Sequence, residues 1–248
     1  GSISDRCFIW NVIMGNYKID ASNRILFSKD MKIVELLDVS CELLSVFLRL
    51  DMQLPFGDLS VEELCRRYSI SSEMFLMLCR VYAGADMHPA VDNLQRDDLR
   101  HIVGYLRASH RYYAEQLLPS IEQGVERVLS MCEKRQSDIV RKFYDDYADE
   151  VHAHLQYEEQ VIFPYVEQLL LGEKHTEGMA VKMSSHTDIC DKVDDIKSII
   201  IKYLPESCPT AERCGVLRDL AHLRDDLAKH TLIETAVLTP MVVALENQ

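Results

Sequence analysis

Two short stretches of this 248-residue chain place reactive side chains at a helical spacing. In VHAHLQYEEQVIFPYV, His154 stands four residues before Glu158, and in LAKHTLIETAVLTPMV, His230 stands four before Glu234. Both stretches read H-x-x-x-E-x-x-V-[IL]-x-P-x-V. Four residues is just over one helical turn, a rise of about 6 Å, so each His and Glu project from one helix face. Two further histidines complete the pattern. His110 precedes His154 by 44 residues and His186 precedes His230 by the same 44, while His110 to His186 and Glu158 to Glu234 are both steps of 76. The chain therefore holds a two-fold internal repeat of a helix pair, each pair giving one lone His and one H-x-x-x-E.

These six residues interrupt apolar stripes. A carboxylate facing a core without a partner is too costly to keep ionised, so it takes a proton or a cation. Four imidazoles at the same level favour the cation. Pseudo-symmetry sets Glu158 across from Glu234, where both can bridge two metal ions, each also held by two histidines. Mixed nitrogen and oxygen ligation suits iron, manganese or zinc. An octahedral ion there keeps positions open for an oxo bridge, oxygen, nitric oxide or water. One His on an apolar stripe is usually a core residue, and one H-x-x-x-E is common by chance. Two in register, each with a matching lone His, are not. The other histidines fall outside the pattern: His152 and His101 point elsewhere, His222 lies two turns from His230, and His88 and His175 sit in loops. Tyr113, Tyr157, Tyr165 and Cys190 lie near the six, with plain packing the expected role of Tyr165 and Cys190.

Four long helical patterns must position this set. The first runs over about 97–131, with Pro119 as a kink and a stripe of Leu99, Val103, Leu106, His110, Tyr113 and Leu117. The second covers about 137–171, with Phe143, Tyr147, Val151, His154, Glu158, Ile162 and Tyr165. The third covers about 180–203, with Met183, His186, Cys190, Val193, Ile196 and Ile200. The fourth covers about 216–245, with Leu220, Leu223, Leu227, His230, Glu234, Val237 and Met241. Short polar connections between them predict an up-down-up-down four-helix bundle over 96–248. Ahead of it, 28–85 reads as a small helical domain, with a turn at Phe56-Gly57-Asp58 and a capping box of Ser60 and Glu63 opening VEELCRRY. The polar stretch GADMHPAVDNLQRDD, with Pro89, separates the two. Residues 1–27, including CFIWNVIM, form an irregular lead-in.

Composition agrees with an all-α protein: 48% of residues are hydrophobic, and only nine Gly and seven Pro interrupt them. The net charge of −13 disfavours nucleic acid and anionic membranes as partners. No run of eighteen uncharged apolar residues suggests a spanning helix. Eight cysteines without a C-x-x-C read as neither a disulfide framework nor a zinc site, which points to a reducing cytoplasm.

The six-residue pattern resembles the hemerythrin-like di-iron proteins, and among them the repair-of-iron-centres family, over about 96–245. The resemblance implies two iron ions, oxo- and carboxylate-bridged, held by His110, His154, Glu158, His186, His230 and Glu234, with both glutamates bridging. Oxygen-carrying hemerythrins have a fifth His one turn after the third-helix His; here that place is Cys190, within HTDIC. The four-His, two-Glu set fits the repair family. The leading domain resembles the small domain that precedes the bundle in many such proteins. Their Cys-Cys pair is absent from the matching turn, Leu54-Pro55-Phe56-Gly57-Asp58, which leaves packing or homodimer contacts as its role. The resemblance implies nitrosative and oxidative stress defence, with repair of damaged or apo iron–sulfur proteins by iron release. A sensor of oxygen, nitric oxide or iron, and a di-iron centre reducing nitric oxide or peroxide, fit the same residues.

Overall fold

The computed structural model describes residues 27–173, 178–183, 189–206 and 208–247. The lead-in 1–26 and residues 174–177, 184–188, 207 and 248 lie outside the described residues, as do the side chains of Cys190 and Asp191. The candidate His186 is therefore not described, nor is His175, which the pattern leaves out. Among the described residues the structure is helical, with only an isolated bridge between Lys32 and Ser60 outside the helices and turns. No helix among them is long and apolar enough to cross a membrane. The chain divides into two compact units, 1–102 and 103–248.

Among the described residues, the first unit carries α1 (Ile33–Val39), α2 (Leu44–Arg49), α3 (Val61–Arg67) and α4 (Ser72–Tyr82), with a short 3-10 turn at Cys41–Leu43. Ser60 caps α3 as its sequence signature predicts: its hydroxyl accepts the Glu63 N–H, and the Glu63 carboxylate accepts the Ser60 N–H at 2.7 Å. Gly57 supplies the turn before it with φ of +58°, a left-handed conformation that glycine adopts without steric cost. Ser71 caps α4, most of which is buried. The Phe47 ring lies 4.9 Å from Phe56 and 5.3 Å from Phe75, closing a core with Leu36, Leu43, Leu64 and Met74. Arg49 is buried too, and its charge is met by a hydrogen bond to the Tyr82 hydroxyl.

The second unit is the four-helix bundle. The first bundle helix enters it as α5 (Asp98–Tyr112), and the division between the units falls inside α5. It continues through a π turn (Tyr113–Leu117) into α6 (Leu118–Leu129). The second is α7 (Lys134–Tyr157), a π turn (Glu158–Ile162) and α8 (Phe163–Leu170). The third is described as α9 (Met179–Met183) and α10 (Cys190–Lys202). The fourth is α11 (Thr210–Ile233), a π turn (Glu234–Leu238) and α12 (Thr239–Glu246). Each helix packs on the next, and the fourth returns onto the first. Pairs of contacts run in opposite senses along neighbours. Tyr144 Oη donates to the Leu118 carbonyl at 3.0 Å while Arg107 reaches Glu159 at 3.1 Å. Ser120 meets Asp219 at 3.2 Å while Arg127 meets Glu212, also at 3.2 Å. The order is up-down-up-down.

The three π turns share one cause. Pro119, Pro164 and Pro240 each follow a turn by two residues. A proline lacks the N–H for an α-helical bond, and its ring crowds the carbonyl four residues back. The chain widens one turn instead. Leu118, Phe163 and Thr239 donate their N–H five residues back, to the carbonyls of Tyr113, Glu158 and Glu234. Beyond the turn at Glu158–Ile162 the expected Tyr165 stays buried, whereas the turn at Glu234–Leu238 slips the apolar register by one residue. Val242 rather than the expected Met241 is therefore fully buried near the end of the fourth helix. In the second helix the buried position is Tyr144, at 2% exposure, whereas the expected Phe143 is 50% exposed. There the stripe steps back from Tyr147 by three residues rather than four, a choice that the 3.6-residue period leaves open.

Candidate metal centre

Five of the six expected residues lie among the described ones, and they converge. His110 projects from α5, His154 from α7 and His230 from α11, while Glu158 and Glu234 open the second and third π turns. All five are buried, and Glu158 is 0% exposed. His110 Nε2 lies 2.8 Å from Glu158 Oε2 and 3.3 Å from His230 Nε2. His154 Nε2 lies 2.7 Å from the other Glu158 oxygen, Oε1. His230 Nε2 lies 3.3 Å from Glu158 Oε2 and 3.4 Å from Glu234 Oε1. Two groups with converging ligand atoms result: His110, Glu158 and His230 in one, His154, Glu158 and Glu234 in the other. Glu158 belongs to both, one oxygen toward each.

The donor chemistry fits a cation. Two imidazole Nε2 atoms face each other and the same carboxylate oxygen, so without a metal a proton must separate them. Burial works against a charged His230, yet Glu234 and Glu158 more than offset it and lift its pKa to about 10. A cation, with more charge and more coordination positions than a proton, would meet these groups more fully. Residues of mixed nitrogen and oxygen type in two adjoining groups are compatible with a metal site.

The surroundings add residues that the spacing did not reveal. Glu159 turns the other way from Glu158, and its Oε1 accepts from His110 Nδ1 at 2.8 Å. Arg107 Nε donates to Glu159 Oε2 at 3.1 Å, and the same guanidinium reaches Glu167. Burial pushes the Glu159 carboxyl up, but His110 and Arg107 together hold it below its ordinary range. The Phe163 ring lies against His110 at 5.2 Å. An adjacent Glu-Glu pair reads as one core carboxylate and one solvated charge, and nothing local pairs position 159 with an arginine on another helix.

The other candidates settle around this centre. The Tyr113 ring meets His230 edge-on at 5.8 Å, and its hydroxyl donates to the Asp226 carbonyl at 3.3 Å. Tyr157 Oη donates to the Lys182 carbonyl at 2.9 Å, and Tyr165 Oη to Glu246 at 2.6 Å. His222 pairs with Tyr112 Oη at 3.0 Å, and His152 with the Ala148 carbonyl at 2.7 Å.

Known proteins are similar to this chain in sequence. The "Iron-sulfur cluster repair protein YtfE" of Salmonella paratyphi B, of Salmonella newport and of Salmonella heidelberg are each 28% identical over 152 residues, 60% of this chain and 67% of theirs. The family model described as "Hemerythrin HHE cation binding domain" matches residues 101–242, a range that contains His110, His154, Glu158, His186, His230 and Glu234. More than half of the chain lies within that match, and the chain belongs to the hemerythrin HHE cation-binding family.

Proposed function

We propose that this protein is a di-iron protein of nitrosative and oxidative stress defence that helps restore damaged iron–sulfur clusters by giving up iron. The observation that carries the reading is Glu158: a fully buried carboxylate with one oxygen toward each of two histidine groups, in a family whose curated relatives are named for cluster repair. His110, His154, His186 and His230, with Glu158 and Glu234 shared between the two, would hold the irons. Iron so held would supply a redox-active centre with exchangeable positions for small molecules such as oxygen and nitric oxide. Two histidines per metal leave each ion less saturated than in a five-histidine site, which favours release. The net charge of −13 turns the surface away from nucleic acid and toward protein partners, and the cysteine usage suits a reducing cytoplasm. Manganese or zinc suits the same donors, so metal identity is part of the test.

The test has two stages. Protein prepared without oxygen and loaded with ferrous iron is expected to retain two irons per chain. Mixed with an apo iron–sulfur dehydratase and sulfide, it is expected to restore activity beyond an equal amount of free ferrous iron, whereas Glu158→Gln gives no such gain. Restoration no better than the free-iron control overturns the repair reading.

A further inference from the structure

The geometry points to Glu159, braced by Arg107, as a positioning residue that governs metal retention at one of the two positions, that of His110 and His230. This rests on the metal-binding reading above.

His110 is held from three sides. Its Nε2 faces Glu158 Oε2 and His230 Nε2, the direction of the metal. Its Nδ1 lies 2.8 Å from Glu159 Oε1, on the far side of the ring. Phe163 covers one ring face. A carboxylate accepts only, so Nδ1 carries the proton, which leaves Nε2 as the atom that would offer its lone pair to a metal. A carboxylate behind a ligating imidazole also raises its basicity, which strengthens the bond to a metal. Glu159 stays in place because its second oxygen accepts from Arg107 Nε at 3.1 Å, and Arg107 is in turn tied to Glu167 on α8 and lies over the Phe163 ring.

The internal repeat does not copy this device. The residue after Glu234, which corresponds to Glu159, is Thr235, and its hydroxyl is committed to the Thr231 carbonyl at 2.8 Å. Thr235 offers no carboxylate, so this support is tied to the position of His110. Removing it therefore affects one metal position and leaves the other unchanged.

Chelator capture of ferrous iron from the full chain, followed by stopped flow without oxygen, reads both positions. The parent and the variants Glu159→Gln and Glu159→Ala are compared. Loss of an outer partner of a metal-bound histidine weakens retention by roughly 10–100-fold. In Glu159→Ala one iron is expected to leave faster by about that factor while the second leaves at the parent rate. Glu159→Gln still accepts from Nδ1 but carries no charge, so its fast phase is expected between parent and Ala. A part played only in folding would be preserved by the Gln variant, whose release rates would then match the parent's. Acceleration of both phases alike, or of neither, overturns the proposal.

A second measurement needs no iron. In metal-free protein labelled with ¹⁵N-histidine, the parent is expected to show a hydrogen-bonded Nδ1–H on His110, and Glu159→Ala to lose it. An Nδ1 without a proton in the parent overturns the proposal. Failure of the parent to retain two metals, with the Nδ1–H present, sinks the di-iron reading and with it the retention role.

Discussion

Glu158 and Glu234 are carboxylates at the centre of an apolar bundle, each followed within eight residues by a fully buried Val or Leu. Side chains there cost stability in metal-free protein, because burial disfavours charge and protons offset it only in part. The double variant Glu158→Gln, Glu234→Gln removes both charges with little change of volume. In the presence of chelator it is expected to melt no lower than the parent, and metal is expected to leave its melting temperature unchanged. The parent gains: ligand at a hundred times Kd adds about 2.7 kcal/mol, or roughly 5–10 °C for a domain of this size. Equal upshifts in both proteins by scanning calorimetry would remove the glutamates from the site. The thiols divide as sharply. Burial pushes the Cys65 thiol up to about 11 and the Cys79 thiol well above its ordinary value, while Cys41 and Cys214 are exposed. Alkylation acts on the thiolate, so at pH 7.5 Cys41 and Cys214 are expected to react within the time in which Cys65 and Cys79 stay intact, as read by peptide mass mapping. His110, His154, Glu158, His230 and Glu234 are legible because helical spacing and an internal repeat name residues in one chain direction. Glu159 is not, because its meaning lies in an arginine 52 residues upstream, a contact that only packing creates.

Helices with a proline in mid-course are legible as kinked, and the kink has a definite form: one five-residue turn ahead of each of Pro119, Pro164 and Pro240. The helix count, their order and the capping of α3 follow from periodicity and local chemistry. The slip to Val242 does not, since a repeat of 3.6 carried through a π turn is out of phase beyond it. Two glycines in the first bundle helix show how packing decides what propensity cannot. At Gly104 an added Cβ meets nothing within 4 Å, so Gly104→Ala gains helix stability without a clash. The expected gain is about 0.5–1 kcal/mol, a rise of roughly 2–3 °C. At Gly124 the Cβ would stand 2.8 Å from Val216 Cγ2 on the fourth helix, a distance that real contacts do not reach. There the same substitution overpacks the helix pair and is expected to cost about 1–3 kcal/mol, outweighing the propensity gain. Chemical denaturation of the two variants reads both signs. A Gly124→Ala protein as stable as Gly104→Ala would mean that the first and fourth helices separate freely at this level.

At the scale of the molecule, two compact units each own a core. Ile33, Leu36, Phe47, Leu64 and Phe75 fill the first, and Tyr113, Tyr147, Val151, Val193, Leu220 and Leu227 fill the second. A metal held by histidines and glutamates of the bundle stabilises only what must unfold to release it. Buried thiols report this unit by unit, since each reacts only when its own surroundings open. Cys65 lies in the core of the first unit, and Cys208, 2% exposed, lies at the end of the bundle beside Val128. Metal at a hundred times Kd is expected to slow alkylation of Cys208 about a hundredfold, the factor that corresponds to about 2.7 kcal/mol. Alkylation of Cys65 is expected to continue at its metal-free rate. Equal protection of both thiols would mean that the units open as one, and the metal would then be stabilising the whole chain. Protection of neither would mean that Cys208 reacts through a local opening that leaves the metal in place, a distinction that mass mapping over a range of denaturant concentrations resolves.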